Sequence, residues 1–83
     1  MCIMNVGSTF VNWDRVVTAN IEEEEDGVIL RVESDNVADE IFIPDVTVEQ
    51  TAAAIRHGMR MEAVFDLMYY INKVKTFRGE DND

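Results

Sequence analysis

Hydrophobic and polar positions change their period once along this chain, from about two to about 3.6, close to Pro44. Before it, Val17, Ala19 and Ile21 alternate with Val16, Thr18 and Asn20. Val28, Leu30 and Val32 alternate with Ile29, Arg31 and Glu33. Each segment reads as a half-buried strand. Asp26-Gly27 between them tolerates the positive φ angles of a type I′ turn. With those two residues as the loop, Glu25 faces Val28, Glu22 faces Arg31 and Ile21 faces Val32. A register displaced by two keeps the same faces buried, so the alternation specifies the face more firmly than the pairing. After Ser34-Asp35-Asn36, a turn-like segment, residues 40–43 alternate again until Pro44, which cannot donate to a ladder. Residues 1–6 and 9–11 can supply an earlier strand, broken at Gly7-Ser8. Three or four antiparallel strands in a meander are expected.

The second half reads as helical. Thr47 and Gln50 have the spacing of a capping box, and Val48, Ala52, Ile55 and Met59 fall on one stripe. The next apolar set, Met61, Val64, Met68 and Ile71, lies about half a turn away on a continued helix. Two helices meeting at a bend near Gly58 fit this pattern. There Gly58 is either a C-terminal cap or an interior residue costing about 1 kcal/mol. The second helix is placed at about residues 60–75, with Glu62 and Asp66 early and Lys73 and Lys75 late, as the helix dipole favours. Val64, Phe65, Leu67, Met68, Tyr69, Tyr70, Ile71 and Val74 would surround much of its circumference, whereas a surface helix needs about 100° of apolar arc. That excess makes Phe65, Met68, Tyr69 and Tyr70 the expected oligomer interface. The fold class is therefore α+β: the meander, followed by two C-terminal helices packed on one of its faces. Residues 1–78 are expected to form one domain and residues 79–83 an acidic flexible tail.

Charge sharpens this picture. Eighty-three residues are too few for two cores, and they carry a net charge of −10. Residues 1–13 hold no charged side chain, residues 14–49 hold twelve acids against two bases, and residues 50–83 are balanced at five each. The whole excess belongs to the middle of the chain. Direct binding to nucleic acid or to an anionic membrane is disfavoured, and a basic protein is the fitting partner. The run Glu22, Glu23, Glu24, Glu25 and Asp26, with Glu33, Asp35, Asp39 and Glu40 nearby, is the expected partner-binding set. The plainer reading of the run is a solvated hairpin tip that keeps sheets from joining edge to edge.

Other chemistry finds little support. The acids do not follow the spacing of a calcium loop, and one His with one Cys cannot make a structural zinc site, so no metal or cofactor is expected. His57 has no patterned nucleophile or orienting acid, Ser8 and Ser34 sit in turn contexts, and Gly7, Gly27, Gly58 and Gly79 are too scattered for a phosphate loop. No enzymatic activity is expected. Cys2 alone cannot form an internal disulfide, no Lys or Arg precedes Arg15, and no run of about 18 apolar residues occurs. A cytoplasmic protein is expected.

Taken with its size, this charge is similar to that of small acidic inhibitors encoded by phages and mobile elements, such as anti-CRISPR proteins and DNA mimics. The likeness is one of composition. It implies a non-enzymatic inhibitor or adaptor whose carboxylates occupy a basic, nucleic-acid-binding surface of a partner, steering its approach and excluding the nucleic acid. The alternative is a homo-oligomeric structural domain, a homodimer through the second helix, with acidic strands for solubility.

Overall fold

Two short strands, β1 (Ile3–Val6) and β2 (Thr9–Asn12), form a hairpin that turns at Gly7, whose φ of 61° favours a residue without a Cβ. A single 3-10 turn, Trp13–Arg15, leads into β3 (Val16–Glu24), β4 (Gly27–Ser34) and β5 (Val37–Pro44). These three pair antiparallel in the order β3-β4-β5, the expected meander. Helix α1 (Val48–Met61) follows and packs against β3, and helix α2 (Leu67–Asp81) packs against α1. The α+β class expected from the hydrophobic period is the class observed. The structure, a computed structural model, describes residues 1–81, with side chains through residue 76. The end of the expected tail and the side chains of Phe77 and Arg78 lie outside the described residues.

One element differs from expectation. Residues 64–66 are not the start of the second helix but a strand, β6 (Val64–Asp66), which pairs parallel to β1 with Ile3 opposite Val64 and Asn5 opposite Asp66. The β1–β2 hairpin therefore joins no meander. It belongs to a second, mixed sheet ordered β2-β1-β6. Local chemistry explains the break. Helix α1 ends when Glu62 turns to an extended conformation while its N–H still bonds the Gly58 carbonyl at 3.0 Å. Asp66 then accepts the Met68 N–H at 3.1 Å, capping α2 so that the helix begins at Leu67. Gly58 is neither a cap nor a bend. It lies inside α1 because a Cβ there would collide with the Phe65 ring.

Thr47 and Gln50 form the capping box read from their spacing, each accepting the other's backbone N–H at 3.0 Å. The buried face of α1 is Thr51, Ala54, Ile55 and Gly58, whereas Met59 of the expected stripe is exposed. Thr51 is tolerated inside because its hydroxyl donates to the Thr47 carbonyl at 2.8 Å. Helix α2 buries Leu67, Tyr70 and Ile71, half-buries Met68 and Val74, and exposes Tyr69, Asn72 and Lys73. With Val64 and Phe65 assigned to β6, the apolar residues left to the described part of α2 are Leu67, Met68, Tyr69, Tyr70, Ile71 and Val74, of which Tyr69 is exposed. The core gathers Val28, Leu30, Val32 and Ile43 of the meander with Met4, Val11, Ile55, Phe65, Leu67 and Ile71. Each large side chain so buried contributes about 1.5–3 kcal/mol.

Candidate functional site

Strand pairing decides where each carboxylate points. The observed register places Glu24 opposite Gly27, Glu23 opposite Val28 and Glu22 opposite Ile29, so the loop is Glu25-Asp26 and not Asp26-Gly27. Near the turn the faces are those expected, since Ile21 lies over the core side beside Leu30, with the pairing displaced by two; at the far end a register shift between Val16 and Thr18 leaves Val17 exposed and packs Val16 on the core. No residue of this turn has a positive φ, which excludes type I′. Gly27 serves a different need: a Cβ on it would collide with the Ile43 carbonyl, so the glycine lets β5 pass close. Among the described non-glycine residues the left-handed conformation occurs at Asp45, φ 57°, whose N–H bonds the Asp26 carbonyl at 2.8 Å and ties the chain after β5 to the hairpin tip.

The nine expected partner-binding residues thus separate into three groups. Glu22 and Glu40 lie on the outer face of the meander, on either side of Arg31, and both bind it: Nη1 reaches Glu22 Oε2 at 2.6 Å and Nη2 reaches Glu40 Oε2 at 2.6 Å. The hydrogen bonds to Glu40 and then Glu22 push the Arg31 guanidinium pKa above its ordinary value, locking it as a cation. Glu23, Glu24, Glu25 and Asp26 crowd the hairpin end of the sheet. With Asp45 they line an open groove of about 840 Å³ that also touches Thr47, Gln50 and Lys75. Glu33, Asp35 and Asp39 lie toward the opposite end, where Glu33 and Asp39 border a cavity of about 130 Å³ with Arg15 and Phe10. The single continuous anionic face expected from the sequence is therefore not formed. Alternation of side chains across the sheet and the Arg31 bridge divide it.

Compensation differs between the groups. Lys75 Nζ stands 3.4 Å from Asp45 Oδ2, and no other cation among the described residues pairs with an acid of the hairpin end. Asp45 is a member of this cluster that the sequence reading did not include; its position immediately after Pro44, where the chain must return past the hairpin, was the available signal. Of the four residues expected at an oligomer interface, Phe65 and Tyr70 are only 2% and 4% exposed and are committed to the chain's own core, Met68 is half-buried and Tyr69 is exposed. Lys73 Nζ lies 5.3 Å from the Tyr69 ring centroid. Tyr70 donates its hydroxyl to Glu62 Oε2 at 2.6 Å, a bond that, with burial, pushes the phenol pKa up to about 12.

Among the described residues, no three His, Cys, Asp or Glu side chains converge as metal ligands would, and no helix is long and apolar enough to cross a membrane. His57 packs edge-on against Tyr70, ring centroids 5.3 Å apart. What the hairpin end offers chemically is therefore charge: carboxylates at the end of a paired sheet, open to solvent. No family model, curated protein or solved structure matches this chain.

Proposed function

We propose that the protein is a non-enzymatic binding module that docks its acidic hairpin end on a basic surface of another protein, in the first instance a surface that otherwise holds nucleic acid. The observation that supports this reading is the concentration of Glu23, Glu24, Glu25 and Asp26 around one open groove without ion-pair partners among the described residues. Like charges held that close repel one another, and a cationic partner relieves the repulsion while being steered by it. By its size and charge the protein would act as an inhibitor or adaptor, such as the anti-defence proteins of phages and mobile elements, and the lone Cys2 suits the cytoplasm.

The test is capture of partners from a native host lysate on immobilised protein, eluted with graded salt and competed with nucleic acid. Basic proteins released by moderate salt and by nucleic acid are expected, and Glu23→Lys, Glu24→Lys and Glu25→Lys together should abolish their capture while leaving the circular dichroism spectrum unchanged. Capture that survives this triple reversal would overturn the reading.

A second reading, self-association, draws on the mixed sheet. Phe10 is 72% exposed, Val64 is exposed on the same outer face, and residues 1–13 carry no charged side chain, which leaves Asp66 of β6 as the one acid of this face.

A further inference from the structure

Four strand edges lie open in this fold, and they are not alike. At the outside of the meander, β3 is interrupted by a register shift between Val16 and Thr18 and has α1 packed against it. The outer strands of the mixed sheet, β2 and β6, have four and three residues. The remaining edge, β5, is eight residues long and pairs with β4 without a break from Ser34 opposite Val37 to Gly27 opposite Pro44. Along its other side, among the described residues, no backbone hydrogen bond leaves residues 37–44. A regular row of about 25 Å is thus left with unpaired amides and carbonyls.

Carboxylates line that row. Asp35 precedes it in the turn, Asp39 and Glu40 lie within it, and Asp45 follows it, held by its N–H to Asp26. Glu40 shares Arg31 with Glu22, while Asp35 and Asp39 have no ion pair among the described residues. Between the acids, Phe42 is 52% exposed on the outer face, two positions from Glu40. Acids on an edge turn away a second copy of the chain, because it would bring the same acids and another −10 of charge to the same line. They favour a strand of the opposite sign.

We propose that the free edge of β5 receives an extended basic segment of a partner protein, which adds to the meander as a fourth strand. The added strand's backbone bonds the open row, its Lys or Arg side chains meet Asp39 and the acids at the two ends of β5, and an apolar side chain covers Phe42. This inference rests on the acidic docking reading above and names the mode of docking. It brings together acids from both ends of the meander, since the edge runs from Asp35 at one end of the sheet to Asp45, tied to Asp26, at the other.

The test uses the full chain, isotopically labelled, and a synthetic octapeptide of alternating Lys and Val at low ionic strength. A second peptide of the same sequence carries N-methyl groups on alternate backbone amides and cannot complete a ladder. The expected result is slowed exchange at alternate amides within residues 37–43 on adding the first peptide, about tenfold or weaker affinity for the methylated one, and a similar loss with Asp39→Lys. If both peptides bind equally and shift resonances only around residues 23–26 and 45, strand addition is overturned and acidic docking stands. Failure of both peptides to bind at low salt counts against acidic docking itself. If the outward amides of residues 37–43, those not bonded to β4, are already protected in the free protein, increasingly so at higher concentration, a second copy holds the edge and the proposal falls.

Discussion

Two residues show contact outweighing intrinsic preference. Alanine is the better helix former by about 1 kcal/mol, so propensity alone makes Gly58→Ala stabilising. The Phe65 ring reverses the sign, because the added Cβ would fall within it and Phe65, 2% exposed, has nowhere to retreat. Gly58→Ala is expected to cost about 1–3 kcal/mol in urea unfolding. Adding Phe65→Leu, which vacates ring volume, should recover part of the loss; an unchanged or raised midpoint for the single variant would mean that α1 and β6 are not this close. Tyr70 carries a second sign. Its phenol pKa lies at about 12 in the folded chain against an ordinary 10.0, so the neutral hydroxyl bonded to Glu62 adds stability that is complete below pH 10 and is lost as pH rises through about 12. The stability advantage of the wild type over Tyr70→Phe should stay level below pH 10 and close above it, as read from urea midpoints across pH. An advantage that does not narrow there would show that the Glu62 contact is not made.

Within the meander, Arg31 on the central strand ties the two edge strands together through Glu22 and Glu40. Arg31→Met leaves those carboxylates facing each other across β4 without a cation between them. The urea midpoint should fall by less than in Leu30→Ala, where emptying a fully buried position costs about 2–5 kcal/mol. Added Glu40→Gln, or added salt, should restore much of the loss; a midpoint indifferent to all three changes would mean that the bridge contributes nothing. This triad also marks how far the sequence could be read. Alternation identified the core face of β4 but of β3 only at Ile21, since the register shift after Val16 leaves Val17 exposed and turns Val16 to the core, and the Thr47-Gln50 spacing located the start of α1. Register was not legible, since a shift of two preserves every face, and Gly27 was read as a turn residue when its function is to let β5 pass. Strand β6 escaped notice because three residues are too few to display a period, and its partner β1 lies some sixty positions earlier in the chain. The acids of the candidate site were legible as residue types. Their division into three groups depends on the register and on Arg31, and no pattern along the chain encodes it.

Over the whole molecule, whose long axis spans 45 Å, acids are concentrated on the meander, whereas exposed apolar side chains occur on both sheets, Val17, Val37 and Phe42 on the meander and Phe10 and Val64 on the mixed sheet. The hairpin end of the meander holds Glu23, Glu24, Glu25, Asp26 and Asp45, while the outer face of the mixed sheet presents Phe10 and Val64 from a sheet whose first two strands have no charged side chain. Two copies, each at −10, repel one another least where charge is sparse, and the strands of the mixed sheet carry Asp66 as their one charged side chain, so any self-association is expected there and not through α2, whose Tyr70 and Ile71 are already buried. Salt then acts on the two modes of contact in opposite directions. It screens the attraction between the hairpin end and a basic partner, weakening capture, and it screens the repulsion between like copies, strengthening their association. Sedimentation of the pure protein over a range of concentration and salt should therefore show association that grows with salt, disappears in Phe10→Asp and is unaffected by Asp39→Asn. A wild type and a Phe10→Asp variant that sediment identically under every condition would remove the mixed sheet as an interface and leave the acidic surfaces as the means of contact for this chain.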